Sequence, residues 1–307
     1  MIEINNLSKR YGLFKAINNV TFSVEKGGIV GFLGPNGAGK STTMRILCGC
    51  IGATSGEVFI DGKEISEAPL ELKKRIGYLP ETPPLYPNMT VNDYLCFAAQ
   101  IKGVPVEDSA RSVIDRVGLS DVSDRIILHL SKGYKQRVGI AQALIHNPDI
   151  LVLDEPSSGL DPAQRKEIRT LLSELAEGQR TVILSTHVLA EVEALCKRVV
   201  IISQGQIVAQ DSISALQQKS QKISLQVARP SSDLEESLNS IDGVQQITNT
   251  ENGRYNISIN SDVREQIAKV AVPAGLLQLT PAASLEEIYL RLTNSSQPIS
   301  QAQGETQ

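Results

Sequence analysis

Residues Gly34 to Thr42 read GPNGAGKST: three glycines, one lysine and two hydroxyls, with no acid among them. Such a set has one evident chemical use. Glycine lets the backbone curl until successive N–H groups face inward, and a ring of N–H dipoles holds anionic oxygens. Gly34, four intervening residues and Gly39-Lys40-Ser41 complete the G-x-x-x-x-G-K-[ST] spacing, with Pro35, Asn36, Gly37 and Ala38 between and Thr42 after. In this pattern the lysine is a mobile point charge for the outer phosphates of a nucleotide, and the serine hydroxyl is a ligand for Mg²⁺. A ligand-free glycine turn would not need all of these positions to fit.

A second constellation is NPDILVLDE. The apolar run Ile150–Leu153 ends in Asp154 and Glu155. Acids at the carboxyl end of a buried parallel strand lie where open α/β sheets bind ligands. Side chains alternate along a strand, so the two carboxylates are expected to diverge. Asp154 is assigned to the metal, and Glu155 to orienting or deprotonating the attacking water. An Asp-Glu pair alone could equally cap a helix; beside a phosphate loop it reads as hydrolysis. A third run, Val182–Leu184, leads into Ser185, Thr186 and His187. His187 is expected at the same sheet edge as a γ-phosphate sensor, whereas His129 and His146 lack such a context and read as structural.

LSKGYKQR, Leu130–Arg137, contains no histidine, cysteine or carboxylate. It precedes a helical pattern through Val138, Ile140, Ala141 and Leu144. Ser131 reads as its N-cap, and Gly133 leaves the backbone bare there. A helix start with free N–H groups is an anion site, yet the chain already has a cradle for its own phosphates.

These residues need a scaffold. Ile29–Leu33, Ile150–Leu153 and Val182–Leu184 are expected as strands of one buried parallel sheet. Residues 1–28 and 56–80 read as short strands of an antiparallel edge. From 82 to about 135 the pattern is helical, with Thr90 and Asp93 as a capping box and Ala110, Val113, Ile114 and Val117 on one face. After residue 220 the chemistry-bearing motifs stop, and 221–295 reads β-α-β-β-α-β, with a hairpin turn at Glu251-Asn252-Gly253 and a final helix. The Gln/Ser-rich tail 296–307 is expected to be disordered.

Composition excludes several classes. The 307 residues carry a net charge of −4, which argues against a nucleic-acid footprint. Four cysteines make no disulfide framework, and Cys48 and Cys50 read as helix packing rather than a metal site. Apolar runs such as VVII (199–202) are far shorter than the ~20 residues of a spanning helix, and the first residues carry no signal-peptide apolar core.

Taken together, the motifs resemble the ATP-binding subunits of ABC transporters, over about residues 1–220 and in the family's order. The resemblance implies a P-loop NTPase core of ABC type, with an antiparallel edge sheet and a helical insert, followed by a small ferredoxin-like α+β domain. It implies that Tyr11 stacks on adenine, that SSGLD (157–161) communicates across a dimer, and that LSKGYKQR is the signature segment. Ser131 and Gly133 would then face ATP held by a second copy, in a head-to-tail dimer with two Mg²⁺-ATP. A separate polytopic membrane permease would hold the chain on the inner face of the cell membrane, with 82–89, and Leu85 and Tyr86 in particular, as the contact strip. The family's commonest signature is Leu-Ser-Gly-Gly-Gln; here Lys132 and Tyr134 replace a glycine and the glutamine. Glu81 stands where the family usually has glutamine. Both departures resemble exporter-type ATPases of the drug, polysaccharide and gliding-motility kind. The C-terminal domain reads as regulatory or dimer-stabilising. A soluble, non-transport ABC ATPase acting in translation or regulation is the alternative.

Overall fold

The structure is a computed structural model that describes residues 1–67, 69–176, 179–218, 222–250, 253–281 and 284–294. The chain divides into two compact units, Met1–Gln210 and Asp211–Gln307. The sequence reading sets its boundary after residue 220, beyond the short helix α8 (Ile213–Gln218).

The first unit is built on a six-stranded sheet of β3 (Gly28–Leu33), β6 (Ile76–Leu79), β7 (Ile150–Asp154), β8 (Thr181–Thr186), β9 (Arg198–Ser203) and β10 (Gln206–Ser212), in the order β10-β9-β3-β8-β7-β6. The pairs β3·β8, β3·β9, β7·β8 and β6·β7 are parallel. Every residue of β7 and β8 is buried, as expected of strands covered on both faces. The register places Leu33 opposite Thr186, and Asp154 opposite Ser185. The carboxyl ends of three strands therefore finish in line, and the phosphate loop, the acid pair and the Ser185–His187 segment leave the sheet side by side.

A second, antiparallel sheet runs β2 (Phe14–Val24), β1 (Ile2–Tyr11), β4 (Ser55–Ile60), β5 (Lys63–Glu64). Its inward residues Ile4, Leu7, Ile17 and Phe22 share one core with Phe32, Met44 and Val152. The expectation that 56–80 lies wholly in this edge is corrected at 76–79, which forms β6 in the parallel sheet opposite Ile150–Leu153. The cause is cover on both sides: α5 (Lys132–Leu144) packs over β6, so the segment is a short apolar run rather than an alternating one.

Helix α1 (Lys40–Leu47) leaves the phosphate loop, and α2 (Pro69–Lys73) precedes β6. The helical insert holds α3 (Val91–Lys102), α4 (Val106–Arg116) and α5. Thr90 caps α3 by accepting the Asp93 N–H at 3.1 Å, and Ser131 caps α5 by accepting the Tyr134 N–H at 3.3 Å. Helix α6 (Pro162–Leu175) follows β7, and α7 (Leu189–Leu195) follows β8.

In the second unit, β11 (Lys222–Val227), α9 (Ser232–Asn239), β12 (Val244–Thr250), β13 (Arg254–Ile259), α10 (Arg264–Ala271) and β14 (Leu276–Pro281) follow the expected order. They form an antiparallel sheet ordered β12-β13-β11-β14, the ferredoxin-like arrangement. Leu225, Tyr255 and Ile257 meet Leu234, Leu238 and Ile267 in its core. Helix α11 (Leu285–Asn294) packs with α8. Residues 251 and 252 of the expected turn and the tail 296–307 lie outside the described residues. No helix among the described residues is long and apolar enough to cross a membrane.

Candidate nucleotide site

The phosphate loop curls because it must. Gly39 sits at φ 103°, and a Cβ there would lie 2.5 Å from Ile17 Cγ2 and 2.8 Å from the Ala16 carbonyl oxygen. Only glycine fits that turn. The loop opens one wall of a cavity of about 340 Å³ lined by Asn36, Gly37, Gly39, Lys40, Ser41 and Thr42. Glu155 and His187 line the same cavity, joined by Ser158, Phe14, Ala16 and Glu81.

Lys40 is 6% exposed. Its ammonium donates to the carbonyl oxygens of Gly34 (2.9 Å) and Pro35 (3.3 Å) and lies 3.2 Å from Glu155 Oε1. No donor is aligned on that oxygen, so the attraction is that of an ion pair without a directed hydrogen bond. The other oxygen, Oε2, is 2.9 Å from His187 Nδ1. Glu155 stands at φ 51°, a region sparsely populated by non-glycine residues, with its N–H held by the Ser185 carbonyl at 2.8 Å. This turn is what separates the two acids. Strand alternation alone does not, because β7 ends at Asp154.

Asp154 is 1% exposed and lies behind the cavity wall. Burial raises its pKa, opposed by hydrogen bonds from Ser41 and from Ser185, whose hydroxyl donates at 2.7 Å. A carboxylate joined to the phosphate-loop hydroxyl is a pair of hard oxygen donors, which suits Mg²⁺ completed by phosphate oxygens and water. Among the described residues no group of three or more His, Cys, Asp or Glu could hold a metal without such help, and all four cysteines are free.

Other expected site residues stand elsewhere. Tyr11 is half exposed at the end of β1, with the Lys9 ammonium 5.4 Å from its ring centroid. Its cross-strand partner Phe14 lines the cavity instead. The sequence did carry a signal for Phe14, an apolar side chain next to a glycine turn, 65% exposed in the structure. Ser131 and Gly133 do not line this cavity. Gly133 is buried against Gln164, whose amide lies 3.0 to 3.3 Å from where its Cβ would be. The Lys132 side chain reaches over Gly159 of the 157–161 loop, so the residue that replaces a signature glycine joins two loops of one chain. Glu191 also escaped sequence reading. It is 4% exposed, on α7, and hydrogen-bonds behind the cavity.

A glycine-built cradle, a lysine, a hydroxyl–carboxylate oxygen pair and a second acid held by histidine, all at the carboxyl edge of a parallel sheet, define a P-loop nucleoside triphosphatase. Comparison with known proteins narrows the class. Residues 17–158 match the family described as ABC transporter. The chain is 39% identical over 223 residues to the bacitracin transport ATP-binding protein BcrA of Bacillus licheniformis, covering 72% of this chain and 73% of that protein. It is 39% identical over 208 residues to the lantibiotic transport ATP-binding protein SrtF of Streptococcus pyogenes, covering 68% and 89%. A solved ATP-binding subunit of an ABC transporter superposes with TM-score 0.64 at 31% identity, over 71% of this chain and 92% of that one. The dimeric cassette MJ0796 bound to ADP and Pi also gives 0.64, at 26% identity over 69% and 98%. The chain belongs to the ABC transporter family, as an ATP-binding subunit, and its activity is ATP hydrolysis coupled to transport.

Proposed function

We propose that this chain is the motor of an exporter, working as a head-to-tail pair on separate membrane subunits. Each Mg²⁺-ATP is held between the Gly34–Thr42 loop of one copy and Ser131 and Gly133 of the other. Tyr11 and its neighbour Phe14 contact the base. Ser41 and Asp154 would hold Mg²⁺, which would supply positive charge to the transferring phosphoryl group. Phosphate oxygens compete with Glu155 for the Lys40 ammonium. Their success leaves Glu155 free to take a proton from water. His187 donates to the γ-phosphate, and Glu81, on the cavity rim, faces both nucleotide and membrane partner.

The partner surface has support of its own. Tyr86 is exposed and packs edge-on to Tyr94 (centroids 5.9 Å apart) and Phe97 (5.5 Å), forming an apolar groove with Ile101 and Ile145. Relatives named for bacitracin and lantibiotic transport and for linearmycin resistance favour an antibiotic-type cargo.

The observation that carries the reading is the gathering of Lys40, Ser41, Glu155 and His187 around one cavity while the capped signature helix stands outside it. The experiment is Glu155→Gln. Hydrolysis is expected to fall by about 10²–10⁴ with ATP affinity retained, and ATP with Mg²⁺ is expected to convert the variant to a stable dimer in sedimentation. Unchanged turnover removes Glu155 from its role; an ATP-loaded variant that stays monomeric removes the sandwich.

A further inference from the structure

We propose that Glu191 is a positioning residue for hydrolysis: a buried yoke that ties the loop leaving Glu155 to the loop carrying His187. This rests on the reading that those two residues serve the hydrolytic step.

Glu191 is 4% exposed and does not line the cavity. Burying a carboxylate is costly unless its oxygens are satisfied. Here the Ser157 hydroxyl donates to Oε1 and the Thr186 hydroxyl to Oε2, the latter at 3.0 Å. The direction of the second bond is forced. A carboxylate oxygen accepts, so the Thr186 proton goes to Glu191, while Thr186 Oγ1 itself accepts the Val188 N–H at 3.0 Å. Each partner stands beside a residue that faces the cavity. Ser157 precedes Ser158 and lies two residues after Glu155; Thr186 precedes His187; and Glu155, Ser158 and His187 all line the cavity.

The yoke has a fixed footing. Its neighbour on α7, Val192, is fully buried, and a Cβ at Gly31 of β3 would lie 2.9 Å from Val192 Cγ1 and 3.2 Å from Cys196 Sγ. Helix α7 therefore rests directly on the strand that feeds the phosphate loop. Glu191 sets both catalytic loops relative to the cradle. It also supplies the outside restraint that a residue at the φ of Glu155 needs. A nonpolar residue at 157 would strand Oε1.

The test measures ATP turnover and nucleotide affinity on the full chain for Ser157→Ala, Glu191→Ala, Glu191→Gln, His187→Ala and the double variants. Expected losses in kcat are about threefold to tenfold for Ser157→Ala and about tenfold to a hundredfold for Glu191→Ala, with the ATP Kd changed by less than about twofold. Glu191→Gln is expected to recover most of the loss, because the Ser157 hydroxyl can turn to accept from the amide. Adding Ser157→Ala to Glu191→Ala should cost nothing more, and His187→Ala should cost less there than in the native chain, since His187 has already lost its place. General destabilisation produces neither pattern. Native kcat in a folded Glu191→Ala chain, or fully multiplicative losses, overturns the proposal. If Glu191→Ala does not fold, Ser157→Ala and Thr186→Val carry the test: losses that combine to less than their product support the yoke, and native kcat in both overturns it. Glu155→Gln is the control. If it keeps turnover, the hydrolytic reading fails and takes the yoke with it; if it is inactive while Glu191→Ala is normal, the yoke alone fails.

Discussion

Asp154 and Glu155 adjoin in the chain yet meet different chemistry. Asp154 ends a strand and is caught by Ser41 and Ser185; Glu155 is thrown by its positive φ onto Lys40 and His187. Burial decides a quieter case as well. His146, which sequence reading leaves as structural, donates from Nε2 to the Ile76 carbonyl oxygen at 3.1 Å. Burial, followed by the charge of Lys102, lowers its pKa to about 4 from 6.5, against the opposing effect of the Ile76 carbonyl. The unfolded chain therefore takes up a proton below pH 6.5 that the folded chain refuses until about pH 4. Stability falls as pH drops through that window. Urea unfolding of the native chain and of His146→Gln should show the native chain losing stability relative to the variant between these values, with parallel curves above neutrality. Parallel curves throughout would show that His146 titrates alike in both states.

At the scale of elements, the helical insert shows why some boundaries were legible. The Thr90 and Ser131 hydroxyls accept from N–H groups three residues on, so their caps are written in local sequence. β6 was not legible, because its place depends on cover from α5, more than fifty residues away in the chain. Nor was Glu191, since its partner Ser157, 34 residues away in the chain, meets it only once β7 and β8 pair. The apolar face of α3 carries its own prediction. Phe97→Asp places a charge on the Tyr86–Tyr94 cluster at a position that is already 37% exposed. Basal ATP turnover of the isolated chain should stay within about twofold, as for most surface changes, while co-purification with a polytopic membrane protein is lost. Retained co-purification would move the docking surface elsewhere.

For the whole molecule, the decisive question is whether one copy is sufficient. A chain with Ser131→Arg keeps its cradle, and a chain with Lys40→Ala keeps its signature. Each alone builds two defective sandwiches. Mixed, they form a hybrid pair in which one site has both halves intact, so activity should rise well above either variant, toward about a quarter of native for random pairing with independent sites. A mixture no better than its parts would contradict the cross-copy site. Among its described residues the second unit adds no catalytic constellation to this scheme. Its ferredoxin-like sheet has a well-packed core, and we propose that it regulates or strengthens the pair.

Local spacing alone located the Gly34–Thr42 loop, the Asp154–Glu155 pair, His187 at a strand end and the two helix caps, because each depends on residues within a few positions of one another. The βαββαβ order of the second unit was equally readable from hydrophobic period and turn residues. Tertiary structure decided what those groups do to each other: that Glu155 pairs with Lys40 and His187, that Phe14 rather than Tyr11 lines the cavity, and that a buried acid far along the chain braces two loops at once. Those contacts join residues up to 115 positions apart, from Lys40 to Glu155, and only the parallel register of β3, β7 and β8 brings that pair within reach.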